Sequence, residues 1–148
     1  MTPILALDVG ERRIGMATCG EARSIAAPLG AMRRKGLGPD VAAVIKAAQE
    51  RQAGLILVGL PLLLDGAIGA QAQRTLDFCD ALRLALAEAG LPLPVETWDE
   101  RFSSVEAERL MREAGRRPSR DRARLDATAA AVILQSYLDA HRGEGGLP

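Results

Sequence analysis

Three acidic positions stand where carboxylates are out of place in a folded chain. Asp8 comes near the end of the apolar run Pro3–Val9, and strand alternation puts Ile4, Ala6 and Asp8 on one face, where an ionised carboxylate needs a partner to offset its desolvation. Asp126 falls at helical spacing with Ala130, Ile133, Leu134 and Tyr137, on the stripe that should pack against a sheet. Asp99, Glu100 and Arg101 directly follow the run Val95–Trp98, at the kind of strand end where open α/β sheets build their sites. Taken singly, a hydrogen-bonded turn, an acid at a helix N-terminus and a solvated turn account for the three. Taken together, they describe a carboxylate cluster. Three carboxylates within a few ångströms cannot all stay ionised without a cation. Oxygen-only donors favour Mg²⁺ or Mn²⁺ over Zn²⁺. Two such ions about 4 Å apart can activate a water and stabilise a leaving oxyanion in phosphodiester cleavage.

Other chemistries lack their residues. The one histidine, His141, lies in the Gly-rich C-terminal stretch, and Cys19 and Cys79 show no CxxC spacing. Ser-His-Asp or Cys-His catalysis, thiolate metal sites and a disulfide framework are therefore not expected. The segment Arg112–Arg124 holds six arginines against Glu113 and Asp121 and leads straight into Asp126. It reads either as a solvated helix end or as a phosphate-backbone contact beside an acidic metal site. Phe78, Trp98, Phe102 and Tyr137 are the whole aromatic set, too few for a base-stacking platform, and Phe78 and Tyr137 read as core.

The elements that must position these residues follow from periodicity and breakers. Pro3–Val9, a turn Gly10–Arg13 and Ile14–Cys19 predict a hairpin, with a third strand in Ala26–Met32. Beyond the breaker Pro39, Val41, Val44, Ile45 and Ala48 predict a helix to about Gln52. Leu55–Gly59 reads as a fully buried strand, Leu60–Ile68 as a loop, Ala70–Ala89 as a helix stopped by Gly90 and Pro92, and Val95–Trp98 as the last strand. The capping box Ser103-x-x-Glu106 opens a helix to about Ala114, and Leu125–His141 is the final helix. The order βββαβαβαα implies an α/β fold, a mixed five-stranded sheet with helices on both faces. One domain is expected over residues 1–141, with 142–148 a flexible tail.

The 148 residues are 48% hydrophobic with a net charge of zero, which excludes disorder and a histone-like binder working through its overall field. Seventeen of the nineteen cations are arginine; that suits phosphate recognition by planar forks, and equally a GC-rich genome. The longest apolar run, Leu55–Leu64, is broken by Gly59 and Pro61 and is about half what a membrane span needs. A cytoplasmic protein with no membrane partner is the expectation.

Four motifs in collinear order carry a resemblance: LDVGERRIGMA near the N-terminus, VGLPLLLDG at Val58–Gly66, DERFSSVEA at Asp99–Ala107 and LDATAAAVILQSYL at Leu125–Leu138. Together they resemble the YqgF (RuvX-like) family, to which pre-16S rRNA nuclease and Holliday-junction resolvase activities are attributed. The resemblance implies an RNase H-like fold and a two-metal Mg²⁺ or Mn²⁺ site with Asp8, Glu100 and Asp126 as catalytic ligands. Asp99 becomes a neighbour. It implies nucleic acid as partner, RNA in preference to structured DNA, in 5′-end maturation of pre-16S ribosomal RNA, with a homodimer if the substrate is a junction. Arg12, Arg13, Arg101, Arg116, Arg117, Arg120, Arg122 and Arg124 are the candidate nucleic-acid contacts, and the loop Gly59-Leu60-Pro61 with Asp65-Gly66 is expected to line the groove. The chain departs from the family at Leu63, where relatives often carry Asn, and at Arg124, where Lys is common. Two readings compete with a nuclease: a binding module whose acids are structural, and one half of an actin-like nucleotide-binding pair, for which 148 residues are too few.

Overall fold

The apolar run at the N-terminus becomes the middle of a sheet because every residue from Ile4 to Leu7 is fully buried. The structure, a computed structural model, describes residues 2–102 and 122–142. In chain order the elements are β1 (Ile4–Val9), β2 (Arg13–Cys19), β3 (Ala26–Arg33), α1 (Leu37–Glu50), β4 (Leu55–Leu60), α2 (Ala70–Glu88) and β5 (Val95–Asp99). A 3₁₀ turn, Glu100–Phe102, and α3 (Arg122–Ala140) complete them. The sheet order is β3-β2-β1-β4-β5. Hairpin pairing makes β1–β2 and β2–β3 antiparallel, whereas β1–β4 and β4–β5 are parallel across helical crossovers, as connections of that length require. The expected mixed five-stranded sheet is the one observed.

Alternation along β1 and β4 feeds two cores. Leu5, Leu7, Val9, Ile56 and Val58 pack with Val41, Val44 and Ala48 of α1 and Phe78, Leu82 and Leu86 of α2. Ile4, Ala6, Leu55 and Leu57 face the other way, onto Ala130, Ile133, Leu134 and Leu138 of α3. Helices thus cover both faces, and Asp8, two residues on from Ala6, belongs to the α3 side. No helix among the described residues is long and apolar enough to cross a membrane.

Two local expectations are corrected. Pro39 does not precede α1 but sits in its first turn, where a proline forfeits no intrahelical hydrogen bond. Tyr137 lies at the rim of the core rather than inside it: it is half-buried, packed against the α3-side core, stacked on His141 at 4.0 Å and edge-on to Trp98 at 5.3 Å, whereas Phe78 is 1% exposed as expected. The helix expected from Ser104 to Ala114 and residues 143–148 of the expected tail lie outside the described residues. Arg142 closes on Asp139 at 2.7 Å.

A buried ion pair fixes the turn between β1 and β2. Asp40, 2% exposed, accepts Arg34 Nε and the Lys35 amide at 2.9 Å each and the Gly36 amide at 3.4 Å. Burial pushes its carboxyl up, but these donors outweigh burial and hold it below the usual carboxylate range. Arg34 lies over the Phe78 ring at 5.5 Å, donates Nη1 to the Gly10 carbonyl at 3.2 Å and gives its amide to the Arg12 carbonyl at 2.8 Å. Asp40→Asn should therefore lower the unfolding free energy by about 2–3 kcal/mol at neutral pH, read by urea denaturation. A depressed carboxylate stabilises above its unfolded pKa and stops doing so as pH falls through its folded value, so the deficit should shrink below about pH 4.

Candidate active site

Asp8 reaches the α3 face of the sheet between two glycines. On β2 its paired residue is Gly15; on β4, Gly59 lies one step beyond the last β1–β4 pair, Leu7–Val58. Each glycine is a place of close approach. A Cβ on Gly15 would run into the backbone carbonyl of Asp126, so a bare strand position is what lets the start of α3 settle against β2. A Cβ on Gly59 would stand 2.6 Å from Glu100 Oε1 and 2.5 Å from Ile133 Cδ1. The sheet register therefore brings three acids from distant segments to the C-terminal ends of β1, β4 and β5.

The electrostatics show how close they come. Burial, repulsion from Asp126 and a hydrogen bond with Glu100, the last working downward, leave the Asp8 carboxyl pushed up to about 6. Burial, repulsion from Asp8, a hydrogen bond with Asp8 and repulsion from Asp99 push Glu100 up to about 7. The two carboxyls share a hydrogen bond, and each raises the other's pKa by repulsion. Asp126 is placed differently, because Arg13 Nε binds its Oδ2 at 3.0 Å. Asp8, Gly10, Glu11, Arg12, Arg13 and Asp126 line a cleft of about 290 Å³. Among the described residues no three His, Cys, Asp or Glu side chains close on one cation position. Asp8 and Glu100 form the tight pair, and Asp126 faces Asp8 while tied to Arg13.

The other candidates fall into place around this centre. Asp99 is neutralised by Arg101, whose Nη2 and Nε meet its Oδ2 at 2.6 and 3.0 Å, and those hydrogen bonds hold Asp99 below the usual carboxylate range. That separates its role from that of Glu100. Arg101 also donates Nη1 to the Leu64 carbonyl at 3.3 Å, so it ties the Gly59–Gly66 loop to the end of β5. Leu64 at the loop's tip is 96% exposed, and Leu63 is half exposed near Gly69. Arg12 is exposed on the cleft. Arg122 and Arg124 belong to the first turn of α3; Arg116, Arg117 and Arg120 lie outside the described residues.

Gly15 and the Arg34–Asp40 brace were not singled out from the sequence, and Gly59 was read only as part of the loop expected to line the groove. An isolated glycine inside a strand pattern is the signal for close backbone approach, and both glycines carry it. The brace has no such signature, since Arg34 and Asp40 look like an ordinary polar connection.

A family model described as RuvX, Holliday junction resolvase, matches residues 2–140. A protein of Synechococcus sp. named "Putative pre-16S rRNA nuclease" is 45% identical over 93% of this chain and 89% of its own. A protein of the same name from Chloroflexus aurantiacus is 44% identical over 94% and 88%. In fold the chain is similar to Thermus thermophilus RuvC in complex with Holliday junction substrate, with a TM-score of 0.58, 16% identity and 97% of each chain covered.

Gly15→Ala should cost more stability than Gly59→Ala, about 3 against about 1 kcal/mol by chemical denaturation, because the first meets backbone and the second meets side-chain ends that can move. Raised carboxyls stabilise the fold below their unfolded pKa and cease to do so as pH rises through their folded values. In EDTA the melting temperature should therefore fall between about pH 4 and 7, and Glu100→Gln should flatten that fall.

Proposed function

The chain belongs to the RuvX family, and from that premise we propose that it is a divalent-metal-dependent nuclease that hydrolyses phosphodiester bonds in RNA, in maturation of the 5′ end of pre-16S ribosomal RNA. The observation that carries the reading is the Asp8–Glu100 pair. Two half-buried carboxyls are hydrogen-bonded to each other at the edge of a cleft that Asp8, Arg12 and Arg13 line. A pair that neither burial nor mutual repulsion favours as dianion is suited to a divalent cation. Asp8 and Glu100 would hold it, with Asp126 completing the set once free of Arg13. The cation, when bound, supplies activation of water and neutralisation of charge building on the phosphodiester. Arg12, with Arg13, offers guanidinium forks to the phosphates flanking the scissile bond, and no side-chain base is needed.

The names of the relatives support RNA as the substrate and, with it, work in the cytoplasm. A second reading, resolution of four-way DNA junctions, is favoured by the family description and by the likeness to RuvC. That activity needs two sites and hence a homodimer. The Arg-rich stretch through Arg116, Arg117, Arg120, Arg122 and Arg124 is suited to hold either backbone.

The test is cleavage of labelled single-stranded RNA and of a four-way junction, each with Mn²⁺, Mg²⁺ or EDTA. RNA products should need the metal and fall at least about 100-fold in Asp8→Asn. Paired symmetric nicks in the junction, with a dimer in sedimentation, would transfer the assignment to the resolvase. Salt-sensitive binding that persists in EDTA without product would mark a binding module.

A further inference from the structure

The one cation engaged with the three acids among the described residues is a side chain of the protein itself. Arg13 is the first residue of β2, in register with Arg33 on β3, and the turn before it is pinned by the Arg34 brace. Its Nε binds Asp126 Oδ2 at 3.0 Å, with side chains 25% and 36% exposed. Its two terminal nitrogens make no hydrogen bond among the described residues, and the side chain lines the same cleft as Asp8 and Asp126. One side of the fork is thus spent on the acid while the rest faces the space in which a substrate phosphate would lie.

We propose that Arg13 is a positioning residue with two stations: it occupies Asp126 in the metal-free protein, and the arrival of a divalent cation moves it onto the substrate phosphate. The inference rests on the metal-dependent reading above. Its physical basis is competition for one carboxylate. A guanidinium pair only a quarter to a third exposed, joined by a single hydrogen bond, is a modest interaction, and a doubly charged ion already drawn by Asp8 and Glu100 outbids it for Asp126. The guanidinium keeps an anionic partner throughout, Asp126 first and the phosphate afterwards. Metal and substrate affinity are thereby coupled through a single side chain, which makes the coupling reciprocal.

Isothermal titration with MnCl₂ reads the first station. Arg13→Gln should bind Mn²⁺ about fivefold more tightly than the wild type, and Arg13→Lys, which keeps a cation, should stay near the wild type. Weaker or unchanged Mn²⁺ binding in Arg13→Gln would mean that Arg13 only orients Asp126, and would overturn the proposal. Binding of single-stranded RNA in Ca²⁺ against EDTA reads the second. The wild type should gain several-fold in affinity, and Arg13→Gln should lose most of that gain; a gain kept in full would overturn the delivery to phosphate. Should Arg13→Gln not fold, the wild type still decides. Its Arg13 Nε–H resonance, assigned by its loss in Arg13→Lys, should shift on titration with MgCl₂, and an unmoved resonance would overturn the exchange. A wild type that binds no Mn²⁺ would bring down the metal-dependent reading itself. Binding by the wild type without the Arg13 effect would leave that reading standing and remove only this one.

Discussion

Everything at this site depends on a carboxylate standing on the buried face of a central strand. Such a group survives only where its lateral neighbours leave room for partners, and Asp8 has Gly15 on one side and Gly59 on the other. The first admits the backbone of α3 and the second the side chain of Glu100. Removing side chains from two neighbouring strands is thus what converts a solvation problem into an acidic cluster. The sheet order makes this possible, because β1 lies between the strand that carries one glycine and the strand that carries the other.

The cluster is neutralised in two ways. Asp8 and Glu100 are hydrogen-bonded to each other with both carboxyls pushed up by burial, and a guanidinium sits on Asp126. Both are provisional, since each is the sort of partner that a divalent ion displaces. The neighbouring acids that must not join are satisfied permanently: Asp99 by Arg101 and the buried Asp40 by Arg34 and two amides. A site can hold its charge in reserve only if the surrounding charges are settled, and the two Arg–Asp pairs on either side do that.

The two settled pairs also fasten moving parts. Arg34 links α1, the end of β3 and the carbonyls of Gly10 and Arg12, so the turn bearing Arg12 and Arg13 is held from behind. Arg101 links Asp99 to Leu64, holding the exposed loop beside Glu100. Backbone placement at the site is therefore governed from residues that carry no chemistry of their own.

Much of this was legible in the chain. Period-two and period-three-to-four patterns fix which residues face inward, so strands, helices, sheet type and the anomaly of Asp8 and Asp126 on apolar faces could all be read directly. The preference for Glu100 over Asp99 as a ligand came from resemblance, and the structure adds that Asp99 is paired with Arg101. What no one-dimensional pattern carries is which residues meet across the sheet. Pairing register and helix docking are long-range, so the glycine pair around Asp8, the Arg34–Asp40 brace and the hold of Arg13 on Asp126 were decided only by the folded chain. Local sequence specifies the element and its buried face; the distance between two side chains more than a hundred residues apart is set by how the elements pack.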